Sequence, residues 1–248
     1  MLLSQFPRIP FCHKPTPLEP MPRLTERLGG PTLYVKRDDC TGLASGGNKT
    51  RKLEFLIADA IDQGCDTVIA VGAVQSNHTR QTAAAAAKSN LRCEVLLERR
   101  VPDTGPDYER TGNVLLDRML GATVHIYDRG TDLTVEAEAL ASKIRSESGV
   151  PYVIPGGGSS PVGALGYVGC AEELVGQARE MNISIDHVVH ATGSGGTQAG
   201  LVAGFNAMGS DVPVTGISIR FPARTQIERV FNLASETTAI LDAAPRLD

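Results

Sequence analysis

Short apolar runs alternate with amphipathic stretches along most of this chain. Leu53, Leu56, Ile57, Ala60 and Ile61 recur at helical spacing, which predicts a helix over 50–63 with one buried face, ended by Gly64. The same spacing predicts helices over 24–28, 112–120, 133–148, 163–181 and 226–235, and another from 197 to about 208. A further helix opens after the loop 72–77, and its alanine run, 83–87, suits close packing on a sheet. Apolar or β-branched runs at 32–36, 67–71, 93–97, 123–127, 152–154, 187–190 and 214–219 predict strands. Strands alternating with helices call for parallel sheets with helical crossovers, an α/β fold.

Three stretches stand outside the alternation. The first thirty residues, with Pro15, Pro17, Pro20 and Pro22, read as an extended arm leading into the short helix. Pro155-Gly156-Gly157-Gly158-Ser159-Ser160-Pro161 is the strongest shift in composition and reads as a domain junction, a connector that lines a cleft or merely links two lobes. Residues 236–248 bring no final strand, and the strands near 188 and 216 call for more sheet members, so the chain reads as the N-terminal part of a longer protein.

Composition narrows the class of function. The chain has 248 residues, 42% hydrophobic and 21% charged, enough for a sizeable core or two small lobes. A net charge of -4, no Trp and 4% aromatics argue against nucleic acid as a partner. The five cysteines are widely spaced with no CxxC pair, which fits a reducing compartment better than disulfides or zinc. No membrane-length apolar run and no signal-peptide pattern are present, so a soluble cytoplasmic protein is expected. The histidines show no metal-ligand spacing, and no metal is expected.

The chemistry centres on Ser45-Gly46-Gly47-Asn48-Lys49-Thr50-Arg51-Lys52. The glycines permit a tight turn, Asn48 falls where a helix is capped, and Lys49 sits at the mouth of that helix with Lys52 one turn on. The positive end of the helix dipole favours a neutral Lys49 amine, as Schiff-base chemistry with a carbonyl cofactor requires. The alternative is a glycine turn before a solvated basic helix. Arg37-Asp38-Asp39 is a charged turn able to brace this loop.

Thr192-Gly193-Ser194-Gly195-Gly196-Thr197 joins a strand to a helix and offers backbone N–H groups, hydroxyls and a helix dipole to an anion. It is neither a dinucleotide fingerprint nor a P-loop, so a phosphate monoester fits best, against the alternative of a plain glycine turn. Ser76 and Asn77 open a helix and are placed to donate to a carboxylate, against ordinary N-capping; His78 is a candidate for tuning a proton transfer or a structural histidine. Ser76 has no Gly-x-Ser-x-Gly elbow around it. A reactive lysine, a phosphate cup and a carboxylate-binding helix start are the needs of a pyridoxal-phosphate enzyme acting on an amino acid.

KRDDCTGLASGGNKTRKLEFL, GAVQSNHTRQTAA, PYVIPGGGSSPVGALGYVGCAEEL and ATGSGGTQAGL together resemble the pyridoxal-phosphate enzymes of the aminocyclopropane-carboxylate deaminase and D-cysteine desulfhydrase family. Asp39–Ala44 and the triple glycine 156–158 look most like its L-cysteate sulfo-lyase branch. The resemblance implies fold type II, the tryptophan-synthase-β type, with a smaller α/β domain at 50–157 and a larger cofactor-binding domain from 1–49 and 158–248. It implies Lys49 as the Schiff-base lysine and α-proton acceptor, and Lys52 with the 192–197 loop as phosphate contacts. Ser76, Asn77 and His78 match the start of the helix that receives the substrate carboxylate, with Ser76 a catalytic candidate beside Lys49 and Asn77 also near the cofactor. Thr79 and Ser159 are candidates for a sulfonate pocket. Family members continue past 248 with a segment that supplies a tyrosine near the substrate.

The implied reaction is a β-elimination: L-cysteate and water give pyruvate, sulfite and ammonia. D-cysteine desulfhydration, which releases sulfide, is the alternative, with aminocyclopropane-carboxylate deamination behind it. A catalytically incomplete chain that only binds pyridoxal phosphate or an anion is the non-enzyme alternative. The resemblance also implies a homo-oligomer.

Overall fold

The structure is a computed structural model that describes residues 3–242. Residues 243–248, part of the tail read as lacking a final strand, lie outside the described residues.

The arm is more ordered in kind than its prolines predict. Leu18–Pro20 (β1) pairs antiparallel with Tyr34–Lys36 (β2), and Pro22–Leu28 (α1) lies between them. Proline is tolerated here because a two-stranded ribbon has only edges.

Thr67–Ala73 (β3), Arg92–Glu98 (β4), Thr123–Tyr127 (β5) and Pro151–Ile154 (β6) form a parallel sheet in the order β5-β4-β3-β6. The crossovers are Asn77–Lys88 (α3), Gly112–Met119 (α4) and Leu133–Ser146 (α5). Alternate strand residues serve two cores. Val68, Ala70, Val95 and Leu97 pack with Leu53, Leu56, Ile57, Ala83 and Val114 on one face. Ile69 and Leu96 pack with Leu133, Ala137, Ala141 and Ile144 on the other. A sheet covered on both faces explains why these strands read as apolar runs.

Thr50–Asp62 (α2) differs from its expected one-sided burial. Every residue from Thr50 to Ala58 is buried, Arg51, Lys52 and Glu54 included. The reason is position: α2 packs on α3 and also on Pro161–Glu180 (α6). Leu53, Leu56 and Ile57 are fully buried, worth roughly 1.5–3 kcal/mol each. Gly166 permits the approach of α6, since a β-carbon there would meet the Arg51 carbonyl. Glu54 is held by the backbone N–H groups of Phe11 and Cys12, at 3.0 and 2.9 Å, and by Lys14 at 2.6 Å.

Val188–Thr192 (β7) and Val214–Ser218 (β8) form a parallel pair joined by Gly196–Ala207 (α7). Tyr167, Leu174, Leu201 and Phe205 fill the space between α6 and α7. Ala223–Ile240 (α8) follows, longer at both ends than its periodicity predicts, and packs on α6 and α7. Among the described residues no helix is long and apolar enough to cross a membrane.

Candidate active site

Lys49 occupies the N-cap position of α2, without a side-chain cap. Asn48 therefore does not cap the helix as its place in the sequence predicts. Its Oδ1 instead accepts from Lys49 Nζ at 2.9 Å and from Asn77 Nδ2 at 3.3 Å, aiming the lysine toward the start of α3. Burial lowers the Lys49 amine to about 8. The direction is the one expected from the sequence, but the cause is desolvation rather than the helix dipole.

The loop before Lys49 is held from α3. Arg80 donates to the carbonyls of Ala44 and Gly46 and to Ser45 Oγ, while Gln81 Oε1 accepts the Thr50 N–H at 2.9 Å. Ala44 and Ser45 both have positive φ, 44° and 66°, a conformation unfavourable for side-chain-bearing residues. These clamps keep it in place. Arg80 and Gln81 lie inside a recognisable motif but carry no signal of this role, because the loop they grip is more than thirty residues away.

Behind the lysines, Arg51 is fully buried between two acids. Its Nε and Nη2 donate to Asp38 at 2.8 Å each, and its guanidinium reaches Glu173 at 3.0 and 3.1 Å. Tyr167 donates its hydroxyl to Asp38 at 2.9 Å and to the Asn48 carbonyl at 3.3 Å. The charged turn at 37–39 thus braces the Lys49 loop, chiefly through Asp38.

Lys52 is 1% exposed, and its Nζ donates to the Gly157 carbonyl at 3.0 Å and reaches Ser159 Oγ at 3.5 Å. Burial first, then the charge of Lys49, drives this amine well below its ordinary range. An anion placed there would restore the charge. Ser159 also hydrogen-bonds Ser194 Oγ at 2.8 Å and accepts the Gly196 N–H at 3.1 Å. The glycine-rich connector is therefore part of the site wall.

Ser76 caps α3, its Oγ accepting the N–H groups of His78 and Thr79 at 3.2 and 3.4 Å. It serves the ordinary capping role and also lines the cavity. His78 is 3% exposed, and burial with the nearby lysines, opposed by the Pro155 backbone carbonyl, lowers it to about 3. It is neutral at physiological pH, able to donate or accept but not to carry charge. Thr79 does not face the cavity. Its hydroxyl is turned to the Ser76 carbonyl at 3.1 Å and to Asp117 at 3.3 Å, which corrects its expected place in a sulfonate pocket.

The Thr192–Thr197 loop adopts the strand–loop–helix form that its sequence predicts. Gly195, at φ 92°, starts α7 with no side-chain cap. The Thr192 hydroxyl accepts from Gln226 Nε2 at 3.0 Å and is 2% exposed, while Gly193, Ser194, Gly195 and Thr197 line the cavity beside it.

Most of these parts surround one cavity of about 840 Å³, with Lys52 buried behind the wall that Gly157 and Ser159 form. Asn48 and Lys49 contribute to it, as do Ser76, Asn77 and His78, Pro155–Gly157 and Ser159, and the 192–197 loop. Arg100, Arg220 and Arg229 also line it, and no spacing in the sequence announces them because each comes from a separate element. The donor set fits pyridoxal phosphate. Hydroxyls, an uncapped helix start and the buried Lys52 amine suit a phosphate, and Lys49 offers a depressed amine to a carbonyl. A β-carbon on Gly196 would stand 2.6 Å from Ser159 Oγ and 2.8 Å from Lys52 Nζ, so the cradle depends on glycine there.

Residues 9–240 match the family described as pyridoxal-phosphate dependent enzyme. The chain is 43% identical over 247 residues to a 1-aminocyclopropane-1-carboxylate deaminase of Burkholderia lata, covering 98% of this chain and 73% of that one. It is 46% identical over 231 residues to a D-cysteine desulfhydrase of Salmonella typhimurium, covering 93% and 70%. A solved ACC deaminase homologue superposes with a TM-score of 0.90 at 39% identity, over 100% of this chain and 73% of that chain. A solved threonine deaminase from T.th. shares the fold, with a TM-score of 0.65 at 24% identity over 84% of this chain and 60% of that one. The architecture is the α/β arrangement of fold-type-II enzymes of this kind. Motif order, cavity and likeness agree that the chain belongs to the pyridoxal-phosphate dependent enzyme family.

Proposed function

We propose that the protein is a carbon–sulfur lyase that removes the β-substituent of a sulfur-containing amino acid, with L-cysteate as substrate and sulfite, pyruvate and ammonia as products. The observation that carries this reading is the meeting of Lys49, the Ser76–His78 helix start and the 192–197 loop on one cavity.

Pyridoxal phosphate, when bound, supplies a carbonyl for the substrate amine and a sink for the electrons left by proton removal. Lys49 holds the cofactor and then takes the α-proton; with its amine lowered to about 8, a substantial neutral fraction exists near neutral pH. Asn48 orients that amine through its 2.9 Å hydrogen bond. Lys52, Ser194, Gly195, Gly196 and Thr197, with Gly193 and Thr192 at the strand end, hold the phosphate. Ser76 and Asn77 receive the substrate carboxylate at the positive end of α3, and Asn77 also approaches the cofactor. His78 donates as a neutral imidazole, and Ser159 closes the wall between phosphate and substrate. The segment 50–157 forms the smaller lobe and the remainder the larger, and the protein works as a homo-oligomer.

A second reading is D-cysteine desulfhydration, favoured by the 46% identity to an enzyme of that name. The two separate in one assay. Cofactor-loaded protein is given L-cysteate, L-cysteine, D-cysteine and 1-aminocyclopropane-1-carboxylate separately, and pyruvate, 2-oxobutanoate, sulfite and sulfide are followed. Sulfite matching pyruvate from L-cysteate is the expected result. Sulfide from D-cysteine with no sulfite from L-cysteate moves the protein to the second reading, and 2-oxobutanoate alone overturns both.

A further inference from the structure

Part of the cavity wall carries a concentration of positive charge that the lyase chemistry above does not use. Arg100 follows the end of β4, Arg220 and Phe221 follow β8, and Arg229 projects from α8. The carboxylate beside them is already engaged: Glu98 Oε2 accepts Arg100 Nε at 2.6 Å and its Oε1 accepts the Gly130 N–H at 3.0 Å. Asp132, also on the wall, caps α5 by accepting the Thr134 N–H at 2.9 Å. Arg220 and Arg229 lie over the ring of Phe221, 4.9 and 4.7 Å from its centroid, and neither has an ion-pair partner among the described residues. Three guanidiniums thus share the wall with two carboxylates, Glu98 and Asp132, both already accepting hydrogen bonds. Arg220 responds to this crowding: burial, then Arg100, then Arg229 lower its affinity for its proton. Like charges gathered on a concave wall repel one another and attract an anion.

We propose that Arg100, Arg220 and Arg229 form an anion-gathering site that draws into the cavity, and selects, amino acids bearing a second fixed negative charge, a sulfonate in the case of L-cysteate. The inference rests on the lyase reading of the cavity and deepens it. At neutral pH cysteate carries one net negative charge and cysteine none, so the field of the arginines attracts the first and is indifferent to the second. Guanidinium is suited to the task because its planar fork matches oxyanions and stays charged at every working pH. Stacking on Phe221 holds two of the forks in place without neutralising them.

The probe is sulfoacetate, a sulfonate that lacks the reacting amine. Calorimetric titration of cofactor-loaded protein is compared with the double variant R220Q/R229Q at low and high salt, and the visible absorbance of bound cofactor and the thermal midpoint check that the variant is intact. The expected result is wild-type binding that weakens as salt rises, and at least about tenfold weaker binding with a flatter salt response in the variant. Equal affinity in both proteins, or no wild-type binding, overturns the proposal. Loss of cofactor from the variant also overturns it, because the guanidiniums then serve the cofactor. Turnover separates this inference from the reading beneath it. Arginine-dependent sulfoacetate binding without turnover of L-cysteate keeps the anion site and removes the substrate. Turnover of L-cysteate with a KM indifferent to R220Q/R229Q keeps the substrate and removes the anion site.

Discussion

Arg51 grips Asp38 with two hydrogen bonds of 2.8 Å, one from Nε and one from Nη2, in a region where the arginine is wholly buried. The pair ties α2 to the turn after β2, and Glu173 on the other side of the guanidinium ties both to α6. The two lysines of the site flank this arginine in sequence, so the pair fixes where they project.

Removing one member of a buried ionic group leaves the others uncompensated. Arg51→Met is expected to destabilise the protein by about 3–5 kcal/mol. Urea unfolding of the apo protein measures it. A loss below about 1 kcal/mol, the range of exposed pairs, would show that water reaches the group and that the brace is superficial.

Asp117 gives a pH signature. It is fully buried, its Oδ1 has no partner among the described residues, and burial raises its carboxyl from 3.8 to about 7. Between those values the unfolded chain has released this proton and the folded protein has kept it. Asp117 therefore lowers stability progressively as pH rises from 3.8 to about 7. Asp117→Asn, which keeps an acceptor for Thr79, is expected to remove that component and to be more stable than wild type at pH above about 7. Thermal midpoints across the pH range check this, and parallel curves for the two proteins would contradict it.

The cradle around Gly196 has a direct test. A methyl group there would press on Ser159 Oγ and Lys52 Nζ at 2.6 and 2.8 Å, the second of them the amine expected to face the phosphate. Gly196→Ala is expected to weaken cofactor binding by about tenfold or more, a change of about 1.4 kcal/mol per decade. Titration of the apo protein with pyridoxal phosphate reads it. Unchanged affinity would remove this loop from the phosphate site.

Much of the fold is legible in the sequence because the four-stranded sheet and the β7–β8 pair are parallel with helical crossovers, so strands and helices differ in length and periodicity. Every strand from β3 to β8 falls where an apolar run predicts it. The pair β1–β2 is not legible in full, since proline and a three-residue length hide β1 among loop signals. The total burial of α2 is equally hidden. Its charged residues read as a solvent face, and only tertiary partners explain their burial: Asp38 and Glu173 for Arg51, Gly157 for Lys52, and Phe11, Cys12 and Lys14 for Glu54. The three loops of the site are visible through their glycines and helix starts. The clamps Arg80 and Gln81, and the arginines of the cavity wall, are not, because contacts between distant segments leave no local pattern. Thr79 shows the converse error: it sits in the right motif, but the helix turns it toward Asp117.

Everything proposed for the site depends on Lys49 being the residue that holds the cofactor. The measurement that tests it most directly is borohydride reduction of the pyridoxal-phosphate-loaded protein, followed by digestion and mass spectrometry. The expected result is a reduced pyridoxyl adduct on the peptide containing Lys49, at that lysine, and no adduct or visible absorbance from Lys49→Ala. An adduct on Lys52, or a Lys49→Ala protein that retains the absorbance, would contradict it.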